Sequence, residues 1–136
     1  MRIVVLLFDA YTALDIVGGY EILARLPSAK VEFTAGNPGI VVSDTRQLAL
    51  VASSSIKEIK NCDILYVPGG PGIEKAMVDP DILQFIRHCH QNSTWTVGVC
   101  NGVQLLGKAG ILKDVTVTTN YFAREELSTM GGQSCP

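Results

Sequence analysis

The sequence predicts an α/β fold, a three-layer sandwich built around a mostly parallel sheet. Residues 3–8 are a run of consecutive apolar side chains, and residues 63–67 are nearly as apolar, which is typical of strands buried on both faces of a parallel sheet. Segments with the apolar spacing of helices alternate with the strands, and this alternation favours helical crossovers between parallel strands. Ligands of open α/β sheets bind at the carboxyl ends of the strands. The residues that follow strands are therefore the first candidates for a functional site.

Length and composition describe one globular domain over residues 1–136, with 47% hydrophobic and 18% charged residues. The formal net charge is −2 and no long run of one sign occurs, which argues against a nucleic acid or a membrane surface as partner and favours a small-molecule substrate. The apolar run at 3–8 is far shorter than the roughly 20 residues of a membrane span, and no cleavage site follows it. We therefore expect a cytoplasmic protein.

Turn residues and apolar spacing place the elements in a definite order. Pro27 ends the first helix, and Pro80 fits the first turn of the second, whose apolar stripe reaches Cys89. The predicted elements are strand 3–8, helix 14–26, strand 30–35, a strand pair at 40–42 and 46–51, a helical turn at 55–59, strand 63–67, helix 79–89, buried strand 95–99, helix 101–109, strand 115–118 and a helical segment at 121–127.

A cysteine occupies the predicted turn between a strand and a helix, in the run Gly98-Val99-Cys100-Asn101-Gly102. This spacing is that of a nucleophile elbow with Cys in place of Ser, where the glycines relieve crowding around a strained backbone. Unpaired N–H groups at the start of the following helix favour thiolate over thiol. Cys100 is thus the predicted nucleophile; the alternative is a small buried residue with no chemistry.

The loop Pro68-Gly69-Gly70-Pro71-Gly72 follows a neighbouring strand and cannot be part of a regular element. We expect bare N–H groups of Gly69 and Gly70 to join the N–H of Asn101 in binding the charge that develops on a substrate. A simple turn is the alternative.

The remaining cysteines and the two histidines lie in sequence contexts that are weaker evidence for a catalytic role. Cys89 lies on the apolar stripe and is expected to be inert, while Cys62 and Cys135 have no informative context. No CxxC pair and no zinc-ligand spacing occurs, so we expect neither a zinc ribbon nor a disulfide framework. His88 and His90 flank Cys89 and are predicted to face away from the site, which leaves a carboxylate as the candidate acid and base.

These motifs together resemble the DJ-1/PfpI superfamily, and within it the isocyanide hydratases. The resemblance covers nearly the whole chain and is carried by residues 3–8, Leu14-Asp15, Tyr20-Glu21-Ile22-Leu23, 66–70, 98–102 and 106–110. It implies a flavodoxin-like three-layer sandwich, the architecture of class I glutamine amidotransferases, and commonly a homodimer. It also implies that Cys100 is the reactive thiol.

The resemblance also implies a role for Asp15, because in this superfamily an acidic residue at the start of the first helix approaches the cysteine sulfur. An ionised carboxylate beside a thiolate is repelled by it, so we expect one proton shared between Asp15 and Cys100, with Asp15 as general acid and base. An N-cap role for Asp15 is the alternative, and Glu21 is expected to be structural or solvated.

Three features depart from the superfamily pattern. Asn101 stands where the hydratases carry Thr, and Asn120 stands where many members carry His. These two changes put the substrate in doubt and disfavour a Cys–His hydrolase. Members also continue with a further strand and helix, which we expect this domain to lack.

The resemblance implies a cysteine-dependent hydratase or hydrolase acting on a small electrophilic carbon, with conversion of an isocyanide to an N-formamide as the leading hypothesis. This chemistry implies no metal and no organic cofactor. A second hypothesis is a redox-sensing or ligand-sensing domain without catalysis, because an exposed thiolate is prone to oxidation. A third is glyoxalase or deglycase chemistry, which usually benefits from a histidine near the thiol.

A sheet without its last strand exposes an edge and apolar surface, which associate unless they are covered. We therefore predict a homodimer or a larger assembly under native conditions. Light scattering of the purified protein measures this directly, and a monodisperse monomer would contradict the expectation.

Overall fold

The computed structural model describes residues 1–134 and contains nine strands and five α-helices within that range. The strands are β1 (Arg2–Leu6), β2 (Lys30–Ala35), β3 (Gly39–Val42), β4 (Ala49–Ala52), β5 (Ser54–Ser55), β6 (Ile64–Val67), β7 (Trp95–Gly98), β8 (Thr116–Val117) and β9 (Gln133–Ser134). The helices are α1 (Ala13–Leu23), α2 (Ile73–Ala76), α3 (Pro80–Gln91), α4 (Gly102–Lys108) and α5 (Arg124–Thr129), with 3-10 turns at Ile56–Glu58 and Tyr121–Ala123.

The centre of the molecule is a five-stranded sheet in the order β5-β2-β1-β6-β7, and each pairing in it is parallel. Strand β1 lies in the middle, where Val5 pairs with Phe33 on one side and Tyr66 on the other. The side chains of Ile3 to Leu6 and all of β6 are buried. The predicted α/β fold with a mostly parallel sheet is thereby confirmed, and its two fully buried strands lie next to each other.

Helix α3 begins as its sequence predicts. The Asp79 carboxylate accepts hydrogen bonds from the N–H groups of Asp81 at 2.9 Å and Ile82 at 3.3 Å, and Pro80 opens the first turn. The apolar stripe of the helix, which ends at Cys89, is buried against the core. Helices α3 and α4 contact each other and also β6.

Several predicted elements are corrected by the structure. Strand β7 is half-buried rather than buried, and Trp95 is 65% exposed, because β7 forms the edge of the sheet within residues 1–134. Helix α1 ends at Leu23 instead of residue 26. Beyond Leu23, the backbone N–H groups of Arg25 and Leu26 donate to carbonyl oxygens three residues back, as in a 3-10 turn, instead of four residues back as in an α-helix. The predicted strand 115–118 is reduced to β8, which pairs with β9 outside the central sheet.

Two further observations concern the surface. No helix among residues 1–134 combines the length and apolar character needed to cross a membrane. Helix α1 leaves the side chains of Leu14 and Ile22 more than two-thirds exposed. The self-association expected from the sequence stays a prediction.

Helix α1 packs against β6 at a pair of adjacent glycines. The Tyr66 hydroxyl donates a 2.5 Å hydrogen bond to the carbonyl oxygen of Asp15, which brings the tyrosine ring up against the helix. A Cβ placed on Gly19 would lie 2.3 Å from that hydroxyl and 2.6 Å from the ring, whereas a Cβ on Gly18 would meet only Leu14 at 3.7 Å. The absence of a side chain at position 19 therefore allows the close contact between α1 and β6.

Alanine at these two positions should have opposite effects on stability. We expect Gly19→Ala to lower the free energy of unfolding by about 1–3 kcal/mol, because the buried Tyr66 ring has to move. Gly18→Ala is the matched control and should raise it by up to about 1 kcal/mol, because alanine is the better helix former. Urea denaturation of both variants measures the difference; equal effects of the two substitutions would contradict this packing argument.

Candidate active site

Cys100 lies at the sharp turn between β7 and α4, with a φ of 55° that places a non-glycine residue in the left-handed region. The flanking glycines let the turn pack closely. A Cβ on Gly102 would lie 2.5 Å from the carbonyl oxygen of Pro68, and one on Gly98 would lie 2.9 Å from Leu106 Cδ1. The predicted elbow geometry is therefore present, and Cys100 itself is half-buried.

The backbone at Cys100 is held by a residue that sequence reasoning missed. Thr119 Oγ1 donates a 2.6 Å hydrogen bond to the carbonyl oxygen of Cys100. Thr119 follows β8 and is distant from Cys100 in the sequence, so no local pattern could have pointed to this contact. The bond fixes the peptide that joins Cys100 to Asn101.

Asp15 lies in the first turn of α1 and approaches the cysteine. Its Oδ2 accepts a 3.0 Å hydrogen bond from the N–H of Gly69. A Cβ on Gly69 would lie 2.9 Å from Asp15 Oδ2 and 2.9 Å from Cys100 Cβ, so the carboxyl group and the cysteine side chain converge on the same point of the loop. The N-cap position of α1 is occupied by Thr12, so the alternative reading of Asp15 as an N-cap is wrong. The structure thus brings together the thiol and carboxyl that the sequence analysis paired.

Burial is the main reason that the pKa of Asp15 is raised above its usual 3.8. The Gly69 N–H opposes this by stabilising the carboxylate, the negative charge of Asp44 reinforces it, and the hydrogen bond with Cys100 opposes it least. Asp44 accepts a long hydrogen bond of 3.5 Å from Thr12 Oγ1, which holds the second carboxylate close to the start of α1. The balance of these influences leaves the pKa of Asp15 above its usual value.

The Gly69–Gly70 loop is held against the Cys100 turn by the Asn101 side chain. Asn101 Oδ1 accepts a 2.7 Å hydrogen bond from the N–H of Gly70, and Asn101 Nδ2 donates a 3.2 Å bond to the Gly70 carbonyl oxygen. Gly70 has a φ of 134°, and a Cβ on Gly69 would lie 2.3 Å from Asn101 Oδ1. Neither loop position has room for a side chain.

The N–H groups of Gly69 and Gly70 were expected to be bare, and this expectation is wrong. One is bonded to Asp15 and the other to Asn101. The N–H of Asn101 has no acceptor within residues 1–134, and it lies at the first turn of α4 beside the sulfur. Asn101 therefore provides the free backbone donor in this arrangement, while the two glycines shape the loop.

The two histidines, which were predicted to face away from the site, form hydrogen bonds with residues other than Cys100 and Asp15. His88 Nε2 is 2.7 Å from the carbonyl oxygen of Lys60, and His90 Nδ1 is 2.9 Å from Thr96 Oγ1. Asn120, which stands where many superfamily members carry His, has a buried Oδ1 with no hydrogen-bond partner among the described residues. The acid and base nearest to the thiol is thus a carboxyl group.

Neither a metal-binding cluster nor a surface cavity indicates a second candidate site among the described residues. No cluster of three or more His, Cys, Asp or Glu side chains suited to a metal occurs in the described part of the chain. A cavity of about 620 Å³ lies between the 3-10 turn at 56–58 and α3, and neither Cys100 nor Asp15 lines it. It is lined by surface residues such as Lys57 and Asp81, which pair with each other at 2.9 Å. The chemistry-bearing groups converge at the strand ends instead.

The fold and these groups define a class of α/β proteins that present a cysteine on a strand-to-helix turn next to a carboxyl group. The sequence model of the DJ-1/PfpI family matches residues 1–135, and the chain belongs to this family. The family resemblance inferred from the motifs is thereby confirmed.

Individual relatives agree with this membership. The chain is 33% identical over 131 residues to an isonitrile hydratase of Pseudomonas putida, covering 96% of this chain and 57% of the hydratase. It is 24% identical over 123 residues to an uncharacterised protein of Streptomyces lividans, covering 88% and 87% of the two chains. A crystal structure of a ThiJ/PfpI family protein from Pseudomonas syringae superposes with a TM-score of 0.92 at 28% identity, covering 96% of this chain and 55% of that one. The chain thus spans little more than half the length of the hydratase and of the Pseudomonas syringae protein.

The charge environment of Asp15 can be measured by following its carboxyl carbon with NMR as pH is varied. We expect its titration midpoint to lie above 3.8, and Asp44→Asn to move it downward, because that substitution removes a neighbouring negative charge. Asp9 is the control within the same spectrum: hydrogen bonds from Arg46 hold the pKa of Asp9 below 3.8. An Asp15 midpoint at or below 3.8, or one that Asp44→Asn leaves unchanged, would contradict the described environment.

Proposed function

We propose that this chain carries the site of a cysteine-dependent hydratase that converts isocyanides to N-formamides, with Cys100 as nucleophile and Asp15 as general acid and base. The observation that carries the proposal is the convergence of the Asp15 carboxyl group and the Cys100 side chain at Gly69, where a Cβ would lie 2.9 Å from both Asp15 Oδ2 and Cys100 Cβ. The identity of 33% to a hydratase named for this reaction supports the choice of substrate.

The pairing suits a substrate whose terminal carbon first accepts a nucleophile and then a proton. Burial and the charge of Asp44 raise the pKa of Asp15, so its carboxyl group keeps its proton to a higher pH than a free aspartate does. The left-handed backbone at Cys100 directs the sulfur away from the sheet, and the free N–H of Asn101 lies at the same turn. A thiol, a proton donor and a backbone donor therefore surround one point.

In the proposed reaction the Cys100 thiolate forms a C–S bond to the terminal carbon of R–N≡C while Asp15 protonates that carbon, giving the thioimidate R–N=CH–S–Cys100. Water then adds to the same carbon, with Asp15 taking a proton from it and passing a proton to the nitrogen. Breaking of the C–S bond releases R–NH–CHO as Asp15 takes the hydroxyl proton, which restores the thiolate and the protonated carboxyl group. The sum is R–NC plus water giving R–NHCHO, so no oxidant, reductant or leaving group is required.

Asn101 and Asn120 distinguish this site from those of other superfamily members. The Asn101 side chain is committed to Gly70 through both of its polar atoms, so it holds the loop instead of reaching for substrate. Asn120 cannot act as the base that a histidine provides in Cys–His chemistry. Both features favour a mechanism in which proton transfer depends on Asp15.

Turnover of benzyl isocyanide, with the formamide product measured by mass spectrometry, tests the proposal. Cys100→Ser should reduce the rate to that without protein, because the nucleophile is lost. Asp15→Asn keeps an oxygen that can accept from Gly69 but cannot donate the proton, and should reduce the rate by about 10²–10⁴-fold.

Glu21→Gln is the matched control, because it removes a carboxylate from the same helix at an exposed position where Glu21 pairs with Arg25. It should leave the rate unchanged. Absence of turnover by the wild-type chain, or equal turnover by all three variants, would overturn the proposed activity. Selective peroxide oxidation of Cys100 in a chain without turnover would favour the sensing hypothesis instead.

A further inference from the structure

The peptide that joins Cys100 to Asn101 has one polar atom bound and the other free. Its carbonyl oxygen accepts the 2.6 Å hydrogen bond from Thr119 Oγ1, while its N–H has no acceptor within residues 1–134. The peptide bond is planar and trans, so its C=O and N–H point in opposite directions. Whatever fixes the direction of the carbonyl oxygen therefore also fixes the direction of the N–H.

The tight turn that contains this peptide does not fix the peptide's orientation. The N–H of Gly102 donates to the carbonyl oxygen of Val99 at 2.8 Å, which closes a four-residue turn with Cys100 and Asn101 in the middle. The φ angles of 55° at Cys100 and −77° at Asn101 are those of a type II′ turn. The closing bond uses neither polar atom of the middle peptide, so this peptide can rotate while the ends of the turn stay in place.

Steric hindrance does not prevent this rotation either. The rotation would make φ of Asn101 positive, and asparagine is one of the few non-glycine residues that adopt positive φ readily. The rotated peptide would point its carbonyl oxygen where its N–H now points, and a partial negative charge would replace the hydrogen-bond donor. The hydrogen bond from Thr119 stabilises the observed orientation.

We propose that Thr119 is a positioning residue of the site, which keeps the N–H of Asn101 directed at the substrate by donating to the Cys100 carbonyl oxygen. A hydrogen bond to the carbonyl oxygen also polarises the peptide and strengthens its N–H as a donor. Thr119 touches neither the substrate nor the reacting atoms and acts through this one peptide.

The inference rests on the proposed hydratase function, in which water adds to the carbon that is bonded to Cys100. Negative charge develops on the oxygen of that water as Asp15 takes its proton. A backbone N–H that already points at this oxygen stabilises the transition state without any rearrangement at the moment of reaction. The orientation held by Thr119 therefore contributes to the rate of the chemical step.

The chain offers a matched control for Thr119 in the preceding residue. Thr119 is half-buried and bonded to the Cys100 turn, whereas Thr118 is exposed and its hydroxyl has no hydrogen-bond partner among the described residues. The same substitution at these two adjacent positions therefore separates loss of the hydrogen bond from loss of a hydroxyl group in this segment.

The first measurement needs no substrate. Cysteine precedes asparagine at one place in the sequence, Cys100–Asn101, so protein labelled with ¹³C at cysteine carbonyls and with ¹⁵N in asparagine gives a single HNCO cross-peak. We expect Thr119→Val to shift the Cys100 carbonyl carbon upfield, because the carbonyl loses its hydrogen bond. Thr119→Ser should leave the cross-peak close to its wild-type position, and Thr118→Val should not move it. Thr119→Ala removes the same hydroxyl if the valine variant does not fold.

The second measurement is turnover of benzyl isocyanide. Thr119→Val should lower kcat by about 10–100-fold with little change in KM, because a donor directed at developing charge acts in the transition state. Thr119→Ser retains the hydroxyl and should keep kcat within about threefold of the wild-type value. Thr118→Val should leave kcat and KM unchanged. A threonine that only tied the segment after β8 to the fold would affect stability without lowering kcat in this selective way.

The proposal is overturned if Thr119→Val leaves the carbonyl cross-peak in place. It is also overturned if Thr119→Val shifts the cross-peak but turns over isocyanide as fast as Thr118→Val does. If the wild-type chain does not turn over isocyanide, the proposed hydratase function fails, and a third measurement decides the role of Thr119.

This third measurement is the affinity for phenylacetaldehyde labelled with ¹³C at its carbonyl carbon, followed by NMR. The Cys100 sulfur adds to the aldehyde carbon and the aldehyde oxygen takes a proton, which gives a hemithioacetal with an oxygen next to the Asn101 N–H. We expect Thr119→Val to raise the dissociation constant of this adduct about tenfold, as for the loss of one hydrogen bond. Cys100→Ser should form no adduct. Equal dissociation constants for Thr119→Val and the wild type, or no adduct with the wild type, would overturn the proposal.

Discussion

The close approach of three backbone segments at the carboxyl end of the central sheet is the constraint on which the site depends. The start of α1, the Gly69–Gly70 loop and the Cys100 turn are joined by hydrogen bonds from loop N–H groups to Asp15 and Asn101. A Cβ on Gly69 would lie 2.3 Å from Asn101 Oδ1, and one on Gly102 would lie 2.5 Å from the Pro68 carbonyl oxygen, so glycine at both positions permits the close approach. Parallel strands that end at the same edge make such a meeting possible.

The surroundings of the Asp15 carboxyl group at this meeting point raise its pKa. Burial and the negative charge of Asp44 favour the protonated form of Asp15, while the Gly69 N–H favours the carboxylate. Opposing influences of this kind are how proteins bring a carboxyl group toward the range where it can both give and take a proton. The same N–H group that anchors the loop therefore also limits how far the carboxyl pKa can rise.

Three cysteines of the described chain occupy three different environments, and their chemistry follows from these. Cys100 lies half-buried on a strained turn with a carboxyl partner, Cys62 lines a cleft near a guanidinium group, and Cys89 is enclosed on the core face of α3. The expectation that Cys89 is inert was based on its helix stripe alone. Its burial is confirmed, because none of its surface is exposed.

The sequence by itself determined the fold class, the order of the main elements and the elbow at Cys100, because apolar spacing and glycine positions are local properties of the chain. The family resemblance added Asp15, which no spacing pattern would have singled out. Tertiary structure alone decided that β7 is an edge strand, that the Gly69 and Gly70 N–H groups are already bonded, and that Tyr66 and Thr119 support the site. These features depend on contacts between residues far apart in sequence, and periodicity along the chain carries no information about which distant backbone will supply a hydrogen-bond partner.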